Sequence, residues 1–157
     1  MENLVPIIRN AVRAVVVRGE RILLLKKNGG DRGERYTLPG GAQELGETLH
    51  QALDRECREE IGTKIEIVDL LYVADFFKQR KTDPPSTRHL VEFLFLCTLP
   101  DNDYVAQNGP KPDKSQVDVI WVDVADLETM AMFPKALSHL LPALQRQQTG
   151  VYLGTLE

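Results

Sequence analysis

The chain has 157 residues, of which 43% are hydrophobic and 27% are charged, and this composition is typical of one soluble globular domain. The formal net charge of −4 argues against binding of extended nucleic acids through a global positive field. Cys57 and Cys97 are too few for a disulfide scaffold. The segment from Met1 to Pro6 lacks the pattern of a signal peptide, and no apolar run approaches the roughly 18 residues that cross a bilayer. We therefore expect a single cytoplasmic domain over residues 1–157, without membrane contact.

Strands alternating with a few helices are predicted along the chain, which indicates a mixed α/β domain. The segment 47–61 contains neither Gly nor Pro and many good helix formers, and Gly62 follows it as a C-cap, so it is predicted as a helix. In chain order, we predict a hairpin of strands 11–17 and 22–25, a loop at 28–34, a short strand at 36–38, the helix 47–61, one or two strands within 64–74, a loop at 79–88, a strand at 90–99, a loop at 100–114, a strand at 117–122, and helical segments at 125–130 and 134–148.

Three glutamates in this helix stand at unusual positions. At about 100° per residue, Glu56, Glu59 and Glu60 border the apolar face, whereas ordinary solvated acids would lie opposite it. Like charges at these spacings destabilise a helix by a few tenths of a kcal/mol each, and the helix dipole disfavours anions near the C-terminus. A hard divalent cation such as Mg²⁺ would offset the repulsion. Structural ion pairs with Arg55 and Arg58 are an alternative source of positive charge.

Two glycines precede the helix in the turn Pro39-Gly40-Gly41. They allow a close approach of the backbone to a ligand, and their carbonyls can coordinate a metal, although a Gly-Gly pair also suits a simple tight turn. With the helix, they make a pattern of fixed Gly, Glu and Arg positions over 23 residues that resembles the signature of the Nudix hydrolases. The matching positions are Gly41, Glu47, Arg55-Glu56, Cys57, Glu59-Glu60, Gly62 and Thr63, of which Cys57 and Thr63 replace larger aliphatic residues.

The resemblance implies an α/β/α sandwich around a mixed sheet, and it implies roles for residues of the signature. Glu56, Glu59 and Glu60 would bind Mg²⁺, or Mn²⁺, together with the carbonyl of Gly41. A salt bridge between Glu47 and Arg55 would orient the helix and its ligands. These five charged residues are the expected catalytic set. The metal would neutralise phosphate oxygens and activate a water. The general base would be a glutamate of the signature or a later acid.

Glu92 is the one charged residue in the apolar segment 90–99. Strand alternation places it on the same face as Leu90, Leu94 and Leu96, so it is either an additional metal ligand or a carboxylate directed to solvent. We interpret it as a metal ligand. Asp113 and Asp118 are the alternative late acids.

Aromatic and basic residues near the ends of the predicted strands are candidates for substrate binding. Phe76, Phe77, Lys78, Arg80, Lys81 and Arg88 put aromatics beside positive charge, which could stack on a base and bind phosphates, and from this set we choose Phe77, Arg80 and Arg88. Tyr36, just before the glycine turn, is a further choice. Contacts to phosphate are also considered for Lys26, Lys27 and Arg35, although such residues are usually plain surface residues. The alternative is strand-end aromatics beside a solvated basic loop.

The expected function is a Nudix pyrophosphohydrolase that cleaves the diphosphate linkage of a nucleotide-like substrate. A nucleoside diphosphate linked to another moiety, such as ADP-ribose or a nucleotide sugar, is the first expectation. ADP-ribose-type members often have a proline about sixteen residues past the signature, where this chain has Gln79. The alternatives are a nucleoside triphosphate pyrophosphohydrolase and a non-catalytic nucleotide-binding module. The oligomeric state stays open, a homodimer included.

Overall fold

The structure is a computed structural model that describes residues 3–30, 32–143 and 151–156. Its strands are β1 (Leu4–Arg18), β2 (Arg21–Lys27), β3 (Arg35–Thr37), β4 (Gly40–Ala42), β5 (Glu66–Arg80), β6 (Ser86–Thr98), β7 (Gln116–Asp123) and β8 (Val151–Leu156). Its helices are α1 (Leu49–Ile61), a 3₁₀ helix (Val124–Thr129) and α2 (Leu137–Leu140).

The strands form one mixed sheet in the order β3-β2-β1-β6-β5-β8, in which β4 also pairs with β1 and β7 also pairs with β2. The β1–β6 and β5–β8 pairs are parallel, and the others are antiparallel. Strand β4 lies against Ala11–Arg13 of β1. The sheet therefore places the glycines of β4 at the edge of β1 that faces away from β6.

Helices cover both faces of the sheet. On one face, Leu53, Cys57 and Ile61 of α1 pack against Val12 and Phe95. On the other face, the 3₁₀ helix and α2 contribute Leu127, Leu137 and Leu141 to a second apolar cluster. The predicted α/β/α sandwich around a mixed sheet is confirmed.

Helix α1 begins two residues later than predicted, because Thr48 is its N-cap. The Thr48 hydroxyl accepts a hydrogen bond from the backbone N–H of Gln51, and the Gln51 side chain accepts one from the backbone N–H of Thr48. Gly62 ends the helix with φ 71°, as its predicted C-cap role requires. Glu47 is thereby left outside the helix, free to turn back towards it.

Strand β5 includes residues 79–80, and strand β6 includes residues 86–88. The predicted loop 79–88 was therefore wrong at both ends, and the loop is limited to residues 81–85. The pairing of Lys78 with Arg88 and of Arg80 with Ser86 continues the antiparallel ladder. Strand pairing uses backbone groups, so charged side chains do not prevent it when they reach solvent. Strand β1 likewise begins at Leu4 and not at residue 11, because its exposed first half pairs with β6.

The C-terminal part of the chain departs further from prediction. The expected helix 125–130 is the 3₁₀ helix, whereas within the expected helix 134–148 residues 134–136 form a turn and α2 has four residues. Residues 144–148 of that prediction lie outside the described part. Strand β8 was not predicted. Across the described ranges, no helix has the length and apolar character needed to cross a membrane.

Candidate active site

The C-terminal half of α1 lies directly against the glycines of β4. The Gly40 N–H donates to Glu60 Oε1 at 2.7 Å, and Glu60 is 2% exposed. A Cβ atom on Gly41 would lie 2.5 Å from Glu56 Oε1, and one on Gly40 would lie 1.9 Å from the Val12 carbonyl oxygen. Gly40 requires glycine, because a side chain there would collide with the backbone of β1, and a side chain at Gly41 would displace the Glu56 carboxylate from its present position. The two glycines therefore let α1 pack closely against β4, which is more than a tight turn alone would require.

Arg55 connects the carboxylates that surround the contact between α1 and β4. Its Nε donates to Glu47 Oε2 at 2.7 Å and its Nη2 to Glu47 Oε1 at 3.0 Å, which is the salt bridge expected from the resemblance. Its Nη2 also donates to the Ala42 carbonyl at 3.0 Å. Its Nη1 donates to Glu56 Oε1 at 3.0 Å and lies 3.6 Å from Glu59 Oε2. Arg55 therefore offsets the repulsion among the glutamates and fastens the helix to β4.

Arg58, the other arginine considered for that role, instead donates to Asp54 at 2.8 Å on the outer side of the helix. Within the described ranges, no three His, Cys, Asp or Glu side chains converge as metal ligands would. Arg55 occupies the space among Glu47, Glu56 and Glu59.

Burial controls the protonation of the inner glutamates. It raises the pKa of Glu60 to about 8, against the opposing effect of the Gly40 N–H, and the nearby Glu56 carboxylate raises that pKa further. Burial also raises the pKa of Glu56, although Arg55 opposes the shift. Burial, and not the mutual repulsion inferred from the sequence, is the larger cause of the raised pKa in both residues.

This shift gives a test in metal-free protein. Between about pH 4.3, the ordinary glutamate pKa, and pH 8, the folded state holds a proton on Glu60 that the unfolded state releases. The free energy of unfolding should therefore fall as pH rises, by up to about 1.4 kcal/mol per pH unit from this group. Urea unfolding at pH 5.5, 6.5 and 7.5 in chelator should show a flatter pH profile for Glu60→Gln than for wild type.

The exposed Glu66 at the start of β5 supplies the matched control, since Glu66→Gln should keep the wild-type slope. Equal slopes in wild type and Glu60→Gln would show that Glu60 is ionised throughout this range.

The last carbonyls of α1 are held by the loop between β6 and β7, which the sequence did not connect to the site. The carbonyl of Glu59 accepts the Lys111 N–H at 2.9 Å, and that of Glu60 accepts the Gly109 N–H at 2.9 Å. The Tyr104 hydroxyl donates to the Ile61 carbonyl at 2.7 Å. A Cβ on Gly109 would lie 2.4 Å from the Glu59 carbonyl oxygen. Helix ends always need such partners, but no sequence pattern shows which loop provides them.

A cleft opens beside the two inner glutamates, and cations line most of its other walls. Its floor is formed by Glu56, Glu60 and the residues of β4. The basic residues around it are Arg9, Arg13, Lys27, Lys78 and Arg88. Arg88 was predicted as a site residue, and Lys27 and Lys78 were considered for phosphate binding but not chosen. Arg9 and Arg13 were missed, because a lone Arg in a strand is usually a surface residue.

Lys78 is unusual among these cations, because burial lowers its pKa to about 8, with a smaller contribution from neighbouring positive charges. Burial and the charges of Arg80 and Arg9 lower the pKa of Arg88 as well. A concave surface with this excess of positive charge suits a polyanionic ligand such as a chain of phosphates.

The predicted substrate-binding residues separate into two groups. Arg88 lines the cleft, and Arg80 is close enough to affect its pKa. Phe77 lies on the opposite face of the sheet, where its ring stacks on His89 with centroids 4.4 Å apart. Successive side chains of a strand point to opposite faces, so the neighbouring Phe76 lies on the cleft side, where it lines the adjoining pocket. Tyr36 packs into the second apolar cluster and donates to Glu34 at 3.2 Å, away from the cleft.

The late acids have different environments. Glu92 is 2% exposed and shares its face with Leu90 and Leu94, so the solvent-directed alternative was wrong. Its partner is Arg13, whose Nε lies 3.0 Å from Glu92 Oε2, and it lines a pocket adjoining the cleft. Asp113 lines the cleft and pairs with Lys27, whereas Asp118 is exposed on β7. The geometry leaves the choice of general base open.

Comparison with known proteins gives the family. The NUDIX domain profile matches residues 8–144. The chain belongs to the Nudix hydrolases and is a Nudix pyrophosphohydrolase. It is similar to the nucleoside triphosphatase NudI of Enterobacter sp. (strain 638), with 42% identity over 73% of this chain and 82% of that protein.

Two further similarities bear on fold and substrate. An ADP-ribose pyrophosphatase of Methanocaldococcus jannaschii is 31% identical over 57% of this chain, which spans half of that protein's length. A NUDIX hydrolase structure from Nitrosomonas europaea superposes with a TM-score of 0.69 and 23% identity, over 94% of this chain and 77% of that chain. The latter shows the shared fold.

Proposed function

We propose that this protein uses Mg²⁺, with Mn²⁺ as an alternative, to hydrolyse the diphosphate linkage of a nucleotide. The observation that carries the proposal is the cleft itself, where Glu56 and Glu60 lie on the β4 glycines opposite Lys27, Lys78 and Arg88. Carboxylates suit a hard divalent cation, and the basic residues suit phosphate oxygens. Enzymes that act on phosphate groups combine bound metal ions with basic residues near the phosphate oxygens, and the cleft offers carboxylates and basic residues side by side.

The donor set fits the proposed metal. Glu56, Glu59 and Glu60 offer only oxygen ligands, as does the Gly41 carbonyl, and Mg²⁺ binds oxygen in sites completed by water and phosphate. Glu60 is a buried carboxyl with a raised pKa, so a bound cation would displace its proton and offset the charge that burial disfavours. When bound, the metal would polarise the phosphorus centre and lower the pKa of the attacking water. Glu92, paired with Arg13 in the adjoining pocket, is proposed as a ligand only if it leaves that partner.

The chain's own residues then have separable roles. Arg55 binds Glu47 and the Ala42 carbonyl and so orients α1 with its carboxylates. Lys27, Lys78 and Arg88 bind phosphate oxygens along the cleft through charge-assisted hydrogen bonds. Arg80 is close enough to Arg88 to add to the positive field around it.

We infer that a nucleoside triphosphate is the first candidate substrate and that ADP-ribose or a nucleotide sugar is the second. This order reverses the expectation from sequence. The similarity to the nucleoside triphosphatase covers most of both chains, whereas that to the ADP-ribose pyrophosphatase covers half of the relative. The number of cations along the cleft also favours the longer phosphate chain.

A nucleotide panel tests this proposal. Purified protein with Mg²⁺ is incubated with nucleoside triphosphates, ADP-ribose and nucleotide sugars, and the products are separated by anion exchange. We expect nucleoside monophosphate plus pyrophosphate from a triphosphate. AMP plus a sugar phosphate would identify the second candidate. Binding without cleavage of any nucleotide, with either metal, would favour the non-catalytic module and contradict the proposal.

Cys57 and Cys97 are free and buried, which supports a reducing compartment. We therefore propose that residues 1–157 act as one domain in the cytoplasm.

A further inference from the structure

A second pocket continues from the cleft towards α2. It shares Arg13, Lys27, Lys78 and Leu90 with the cleft, so one extended ligand could occupy both. Away from this shared boundary most of its lining residues are apolar, and the charged residues Arg32, Arg35 and Glu92 line it as well. The apolar residues include Phe76, Leu94, Phe133, Leu137 and Leu156.

The pocket is also lined by Thr37, the last residue of β3. Thr37 is 6% exposed, and among the residues that the structure describes its Oγ1 is the one buried side-chain oxygen or nitrogen without a hydrogen-bond partner. A buried hydroxyl left unpaired destabilises the folded state. Rotation about χ1 exchanges its hydroxyl and methyl positions, so Thr37 can present the hydroxyl to an occupant of the pocket.

The aromatic walls are held in a fixed arrangement. Phe76 and Phe133 meet edge to face, with ring centroids 5.5 Å apart and planes at 75°. The Arg32 guanidinium lies 4.8 Å from the centroid of Phe133. The backbone of Phe133 is tied to β3, since its N–H donates to the Tyr36 carbonyl at 2.9 Å. Thr37 and Phe133 therefore keep a constant relative position across the pocket.

We propose that this pocket binds the nucleobase of the substrate and that the Thr37 hydroxyl forms a hydrogen bond with a polar edge of the base. The inference rests on the proposed function, since it places the phosphates in the cleft. A base has flat apolar faces and a polar edge, which suits apolar walls with a few polar groups. A sugar moiety carries hydroxyls on all sides, and those that face Phe76, Phe133 and Leu137 would be left unpaired. Thr37 is thus assigned as a residue that determines base specificity.

The test compares wild type with Thr37→Val, which keeps the shape and removes the hydroxyl, and with Thr37→Ser, which keeps the hydroxyl. For each protein, kcat/KM is measured with triphosphates of the four common ribonucleosides. We expect wild type to prefer one base and Thr37→Val to lose roughly tenfold to hundredfold for that base, with smaller losses for the others. Thr37→Ser should keep most of the preference. The exposed Thr98 at the end of β6 supplies the control Thr98→Val, which should behave as wild type.

Stability and binding measurements separate the possible failures. Because Thr37→Val removes an unpaired buried hydroxyl, its melting temperature without substrate should equal or exceed that of wild type. A uniform loss for all four bases, or no change, would overturn the assignment of Thr37 while leaving hydrolysis established. If no nucleotide is cleaved, the proposed function fails. Base binding by the pocket is then tested by NMR titration with free nucleosides. Chemical shift changes at Phe133 that depend on the base, and that are smaller in Thr37→Val, would support base binding. Their absence would overturn it.

Discussion

Glu60→Gln should lower turnover by about a thousandfold or more with Mg²⁺ at saturation, while the fold is retained. The substitution is isosteric, and a glutamine Oε1 can still accept the hydrogen bond from the Gly40 N–H. What it removes is the negative charge that the proposed metal requires. Because Glu60 is 2% exposed, its uncharged replacement should leave the metal-free protein at least as stable as wild type near pH 7.

Steady-state rates, with circular dichroism and thermal melts as checks of folding, measure this effect. Glu59→Gln should lose turnover to a similar extent. Glu66→Gln, in which the same charge is removed from an exposed position on β5, should retain the wild-type rate. Near-normal rates in both Glu59→Gln and Glu60→Gln would show that these glutamates do not bind the catalytic metal.

The second large effect concerns metal-dependent stability. A cation that binds the folded site and hardly binds the unfolded chain stabilises by mass action, by about 2.7 kcal/mol at a free concentration one hundred times its dissociation constant. For a domain of this size, that gain would raise the melting temperature by roughly 5–10 °C. Metal binding must break the contacts of Arg55 Nη1 with Glu56 and Glu59, which weakens the affinity for Mg²⁺ alone. Mg²⁺ alone should therefore raise the melting temperature less than Mg²⁺ with a non-hydrolysable diphosphate analogue.

Differential scanning fluorimetry with chelator, with metal and with metal plus analogue gives this comparison. Glu56→Gln should show a reduced shift, and Glu66→Gln the full one. If millimolar Mg²⁺ or Mn²⁺ together with the analogue does not change the melting temperature, the glutamates do not bind metal. They would then be an acidic face of the helix that Arg55 stabilises.

The elements that the sequence predicted well are those whose local pattern alone determines them. The helix of the signature was recognisable from helix formers ending at Gly62, and its glutamates were noted because they border the apolar face. The salt bridge between Glu47 and Arg55 followed from the resemblance and is present. These features depend on spacing within one short stretch of chain.

The features that were missed depend on contacts between distant segments. Phe77 was chosen over Phe76 because composition does not show which face of a strand meets the cleft. Arg9 and Arg13 lie on β1 and meet the cations of the other strands only in the folded sheet. Thr37 gave no signal at all, since an unpaired hydroxyl is defined by what surrounds it.

The loop that holds the end of α1 has a consequence for how this chain can vary in length. Surface loops usually tolerate inserted residues, because their closure costs little and few contacts cross them. Here Tyr104, Gly109, Lys111 and Gln116 bind three successive carbonyls of α1, so one added residue would put the donors after it out of register. Side chains that point to solvent from this loop can change freely, whereas its residue count is fixed by the helix that it holds.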